Sequence, residues 1–90
     1  MARRLQDKVA IITGAAQGIA QAIAETFAAQ GARLMIADLQ EDSGRATVEA
    51  LSAAGAEADF VQTDVSMAKD AEAMAQATVE RFGGIDILVE

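Results

Sequence analysis

Residues 8–20 read Lys-Val-Ala-Ile-Ile-Thr-Gly-Ala-Ala-Gln-Gly-Ile-Ala. The first six, residues 8–13, are a short, continuous, largely apolar run rich in β-branched side chains, the pattern of a strand buried on both faces. Residues 14–18 begin and end on glycine and form a turn. From there the period changes. Ile19, Ile23 and Phe27 fall four apart, on one face of a helix over residues 19–30. Gly31 then stands where a left-handed cap stops a helix. Strand, glycine turn and helix in immediate succession suit the binding of phosphate. Gly14 can turn the chain sharply off the strand, and Gly18, lacking a Cβ, lets an anion approach the backbone. The first N–H groups of the helix have no partners within it and face that anion.

Outward from this stretch the alternation repeats. Residues 32–37 (ARLMIA) read as a second strand, ending at Asp38. Residues 41–54 read as a second helix that opens on acidic side chains, which suit the positive end of its dipole. Val48 and Leu51 mark its buried side, and Gly55 ends it. Residues 57–62 (EADFVQ) are a third strand, followed by Thr63-Asp64-Val65. Ser66 is placed to cap a third helix reaching about residue 82, with a stripe of Ala71, Met74 or Ala75, Thr78 and Phe82. Gly83-Gly84 breaks it, and residues 85–89 (IDILV) are a fourth strand. Such an order implies an α/β fold with a parallel sheet and right-handed crossovers. The natural arrangement is half of a doubly wound sheet in the order 3-2-1-4. The first two helices would cover one face. The third would cross to the other, leaving a switch point between strands one and four, where such sheets bind ligands.

Composition narrows the function. Ninety residues make one domain at most, and 52% hydrophobic content excludes disorder as the default. A net charge of −7 would repel a phosphate polymer, so no nucleic-acid partner is expected. The chain has no Cys and no His, which removes the usual metal ligands and the commonest general base. It also has no Tyr and no Pro. The apolar run at residues 9–12 is far too short to span a bilayer, and the basic Arg3-Arg4 opening leads into Gln6-Asp7-Lys8 and not into a long apolar core. A cytoplasmic protein without a membrane partner is the expectation.

Asp38 lies twenty residues after Gly18, at the end of the second strand. A dinucleotide fold puts an acidic residue there to bind a ribose hydroxyl. Glycine turn and acid together point to a dinucleotide. The stretch TGAAQGIA resembles the T-G-x-x-x-G-x-G turn of the classical short-chain dehydrogenase/reductase family, whose chains adopt a Rossmann-like fold. Asp64-Val65 resembles the family's Asp-Val pair, and residues 82–89 resemble its "FGxIDILV" segment, so the likeness runs from residue 8 to residue 89. It implies a cofactor site made of Gly14, Ala16, Gln17, Gly18 and Ile19 in the turn, Asp38 and Leu39 after the second strand, and Asp64 and Val65 at the adenine.

The sequence departs from the family pattern twice. Ala20 takes the place of a third glycine and adds one methyl where helix and strand pack. Where the family continues with Asn-Asn-Ala-Gly, this chain has Glu90 and stops. The family's catalytic Ser and its Tyr-x-x-x-Lys pair are therefore expected to lie outside it, and the chain alone is expected to be inactive. Asp38 can accept from both ribose hydroxyls of NAD, whereas the 2′-phosphate of NADP would set like charges together. Gln17 and Leu39 offer no cation to that phosphate, so NAD is the expected cofactor. The fourth strand, residues 85–89, is expected to carry an unpaired edge and to favour self-association. Two other readings stay open: a half-fold serving only structure or oligomerisation, and a different nucleotide enzyme such as a methyltransferase. Thr13 stands where a methyltransferase usually has an acid.

Overall fold

The computed structural model describes residues 4–14 and 18–90. Their elements run β1 (Val9–Thr13), α1 (Gly18–Ala29), β2 (Arg33–Asp38), α2 (Glu41–Ala53), β3 (Ala58–Gln62), α3 (Ala68–Phe82) and β4 (Ile87–Val89). The strands form one parallel sheet in the order β3-β2-β1-β4, the order expected from the crossovers. Ile11 of β1 sits between Met35 of β2 and Leu88 of β4, and Ile12 sits between Ile36 and Val89.

The alternation along β1 divides the core into two layers. Ala10 and Ile12 point to one side, where they join Leu34, Ile36, Phe60, Ala24 of α1 and Leu51 of α2. Val9 and Ile11 point to the other, where they meet Met35, Ala37 and the α3 side chains Met74 and Phe82. Thus α1 and α2 cover one face and α3 the other. Each fully buried Ile or Leu here contributes about 1.5–3 kcal/mol, so β1 and β2 supply most of what holds the sheet. The α3 stripe resolves to Met74, Thr78 and Phe82; Thr78 buries its hydroxyl by donating to the Met74 carbonyl at 2.8 Å.

Three expectations change. Ile19 was read as sharing one apolar face with Ile23 and Phe27, yet that face is not covered at Ile19, which is 81% exposed. It lies in the first turn of α1, past the end of the sheet, so no strand lies beneath it. The helix packs through Ala24, with Ala20, Ile23 and Phe27 half-buried. Ser66 does not cap α3. Its hydroxyl donates to Asp64 Oδ1 at 2.6 Å, and the cap position belongs to Met67, which has no side-chain bond to give. The fourth strand begins at Ile87, not Ile85. The reason is Asp86, whose N–H donates to the Val9 carbonyl at 2.8 Å while its carboxylate accepts the Val9 N–H at 2.9 Å. The carboxylate replaces the carbonyl that a longer strand would supply to a buried donor.

Gly44 shows how closely α2 approaches β3. A Cβ built there would overlap the Phe60 ring, and both residues are buried. Alanine would gain up to about 1 kcal/mol of helix propensity over glycine. Displacing a packed ring costs about 1–3 kcal/mol, so the clash outweighs the gain. Gly44→Ala is expected to lower stability in urea unfolding, and an unchanged or higher midpoint would show that the ring moves freely.

Candidate functional site

The carboxyl ends of β1, β2 and β3 lie in a row, and hydrogen bonds continue the ladder one step beyond the strands. Gly14 N–H donates to the Ala37 carbonyl at 2.9 Å, and Thr63 N–H donates to the Asp38 carbonyl at 2.9 Å. These bonds fix the exits of the three strands side by side. Gly14, Asp38 and the Thr63–Asp64 segment therefore border a common edge, with neighbouring strands about 5 Å apart.

At β1 the chain leaves through Gly14 (φ 71°) and enters α1 at Gly18 (φ 65°). Both angles favour glycine, and a Cβ built at either residue would meet nothing within 4 Å among the described residues. No acidic residue stands in the first turn of α1, so the partial positive charge of its amino end is not neutralised there. Ala16 and Gln17, the middle of the expected cradle, lie outside the described residues. Thr13 Oγ1 donates to the Val89 carbonyl at 3.2 Å and ties the same end of β1 to β4.

At β2 the half-buried Asp38 accepts the Gln40 N–H at 2.8 Å, which orients its carboxylate through an Asx turn. Leu39 is exposed beside it, and its carbonyl accepts from Gln62 Nε2 at 3.1 Å. At β3 the Asp64 carboxylate accepts two bonds from Ser66, one from the hydroxyl at 2.6 Å and one from the N–H at 3.0 Å. The hydroxyl bond, and after it the backbone bond, hold the Asp64 pKa below the ordinary aspartate value against a smaller opposing effect of burial. Asp70, in the first turn of α3, reaches back to accept the Asp64 N–H at 2.8 Å. Ile19, Leu39, Val65 and Met67 are all exposed, and all four belong to segments leaving this one edge.

The structure thus brings Gly14, Gly18, Ile19, Asp38, Leu39, Asp64 and Val65 to the same end of the sheet. Gln62, Asp70 and Gln40, which order the loops around them, were not singled out in the sequence. An acid in the first turn of a helix was the readable sign of Asp70. Nothing marked Gln62, because its partner depends on strand register. A separate groove bordered by Asp7, Glu25, Arg33, Ala54 and Glu57 opens at the amino end of the sheet. Among the described residues no three His, Cys, Asp or Glu side chains gather to hold a metal, and no helix is long and apolar enough to cross a membrane.

A strand that leaves the sheet through Gly14, a helix that opens at Gly18 with no acid in its first turn, and an acid at the next strand end define a nucleotide-binding α/β protein. The chain belongs to the short chain dehydrogenase family, whose family model matches residues 8–90. It is 50% identical over 86 residues to galactitol 2-dehydrogenase of Agrobacterium fabrum, covering 96% of this chain and 32% of that protein. It is 49% identical over 84 residues to an uncharacterized oxidoreductase of Thermotoga maritima, covering 93% and 33%. Among solved structures it is similar to a short chain dehydrogenase/reductase from Burkholderia phymatum in complex with NAD. That match has a TM-score of 0.92 and 44% identity, over 94% of this chain and 30% of that one. A hydroxysteroid dehydrogenase from Escherichia coli matches at the same TM-score with 35% identity, over 96% and 36%. The chain spans about a third of the length of these curated relatives.

Asp64 generates a test at acidic pH. Its pKa is depressed in the folded chain, so its contribution to stability is complete above the unfolded-state value near 3.9 and is lost as pH falls through the lower folded value. Ser66→Ala removes the larger cause of the shift. Carboxyl-carbon NMR titration is expected to show Asp64 rising toward its ordinary value in that variant. An unchanged titration would mean that another group holds it down.

Proposed function

We propose that this chain holds NAD for a short-chain dehydrogenase, in which hydride passes between NAD and an alcohol or ketone. The observation that carries the reading is the exit of β1 through Gly14 to the amino end of α1 at Gly18, with Asp38 at the neighbouring strand end. The amides at Gly18 and Ile19 bind the diphosphate. Asp38 accepts hydrogen bonds from the two hydroxyls of the adjoining ribose, and Asp64 and Val65 border the adenine. NAD supplies the hydride acceptor. The resemblance assigns proton transfer to a Tyr supported by Ser and Lys. This chain has no Tyr, so its residues contribute cofactor binding and the proton-transferring groups lie outside these 90 residues.

Three features support NAD over NADP. Asp38 would repel a 2′-phosphate, and Leu39 beside it is neutral. Arg45, the cation on the nearby helix, is committed elsewhere: it pairs with Glu41 at 3.1 Å and lies 5.3 Å from the centre of the Phe60 ring. Calorimetry of both cofactors tests the preference. The unaltered chain is expected to bind NAD more tightly, and Asp38→Ala is expected to narrow the gap. Tighter binding of NADP by the unaltered chain overturns the preference. Binding of neither cofactor would favour a half-fold kept only for its structure.

The same reading assigns the 90-residue chain a tendency to self-associate. In these residues β4 forms the edge of the sheet, with β1 on one side only. Leu88 is 52% exposed, and Val79 and Ile85 are exposed as well. A second copy pairing along Ile87–Val89 would satisfy that edge and cover these side chains. Light scattering at tens of micromolar (~) is expected to show a species larger than the monomer, and Leu88→Lys to reduce it. A clean monomer contradicts this.

A further inference from the structure

One peptide unit lies at the centre of the ribose-binding edge. The bond between Leu39 and Gln40 carries an N–H that donates to Asp38 Oδ1 at 2.8 Å and a carbonyl that accepts from Gln62 Nε2 at 3.1 Å. Gln62 ends β3 and lies in register opposite Asp38. Its side-chain amide therefore reaches past the last rung of the sheet to grip the loop that β2 releases. Leu39 packs into neither core layer, and Gln62 itself is exposed. Neither residue is placed there by burial. The amide has no packing role that an apolar side chain of similar size would not fill.

We propose that Gln62 is a positioning residue for cofactor selection. It fixes the plane of the Leu39–Gln40 peptide, and that peptide's N–H sets the direction of the Asp38 carboxylate. Bonds in series polarise one another, so the carbonyl bond also strengthens the N–H that orients Asp38. The carboxylate is then held ready to receive two ribose hydroxyls without first giving up rotational freedom. This inference rests on the reading of the edge as an NAD site. The role is distinct from that of Asp38, because Gln62 acts through its bond to the Leu39 carbonyl.

The test replaces Gln62 with Met, which keeps the length and volume of the side chain and removes the donor. Because the bond is exposed, the melting temperature is expected to stay close to that of the unaltered chain. NAD affinity is expected to fall about three- to ten-fold, the range that one hydrogen bond supports. NADP affinity is expected to change less, so the preference narrows. The double variant with Asp38→Ala supplies the reading that a purely structural role would not move. In that background Gln62→Met is expected to have no further effect on NAD, because the carboxylate it orients is gone. Equal losses in both backgrounds would overturn the role, as would an unchanged NAD affinity in Gln62→Met alone. A chain that binds no NAD even when unaltered would overturn the functional reading itself, so the two failures are distinguishable.

Discussion

Burial of β1 on both faces, with hydrogen bonds along both edges, is the constraint on which the rest depends. Val9, Ala10, Ile11 and Ile12 are all buried, and their alternation decides which helices cover which face. A one-residue slip of this strand would exchange its two layers, setting Ile12 against Met74 and Phe82 and Ile11 against Ala24 and Leu51. The strand also fixes the chemistry. Because its last rung is held by Ala37 on one side and by Val89 on the other, the chain can leave the sheet only through Gly14. The position of the amino end of α1 follows from that exit.

The second layer of organisation lies in the loops. At the edge of the sheet the protein uses side chains to order backbone that the ladder no longer reaches. Ser66 and Asp70 hold Asp64 from two sides, through its carboxylate and its N–H. Gln40 and Gln62 do the same for Asp38 and the peptide that follows it. Each loop carries one carboxylate at a defined strand end, and in each the carboxylate accepts a backbone N–H two residues on. That repeated Asx geometry costs little and pre-orders both acids before any ligand arrives. At the opposite edge Asp86 uses the same chemistry for a structural purpose, satisfying a buried donor where β4 begins.

Most of the architecture was legible in the sequence because its signals are local. A β-branched run, a glycine pair and a fourfold apolar spacing each report on a few neighbouring residues, and the strand order follows from crossovers of fixed hand. What was not legible depends on where elements end in space. Ile19 fits the apolar stripe of its helix, yet the sheet does not extend beneath it. Ser66 has the chemistry of a cap, but α3 begins at Ala68 and puts Met67 at the cap position, so Ser66 lies one residue too early. Ile85 reads as strand, but the Asp86 carboxylate takes the Val9 N–H before the ladder starts. The positions of Gly14, Gly18 and Asp38 were readable from spacing, and that of Asp64 from the family resemblance alone. The tie from Gln62 to Leu39 needed the register of β2 against β3.

The central claim is that the amides opening α1 receive a diphosphate while Asp38 holds the adjoining ribose. It is tested most directly by following every backbone amide in nitrogen-proton NMR spectra as NAD is added. The account predicts that signals from Gly14, Gly18, Ile19, Asp38, Leu39 and Asp64 move together with one dissociation constant, while those at the amino end of the sheet stay still. Shifts confined to the groove around Asp7 and Glu57, or no shifts at saturating NAD, would contradict it.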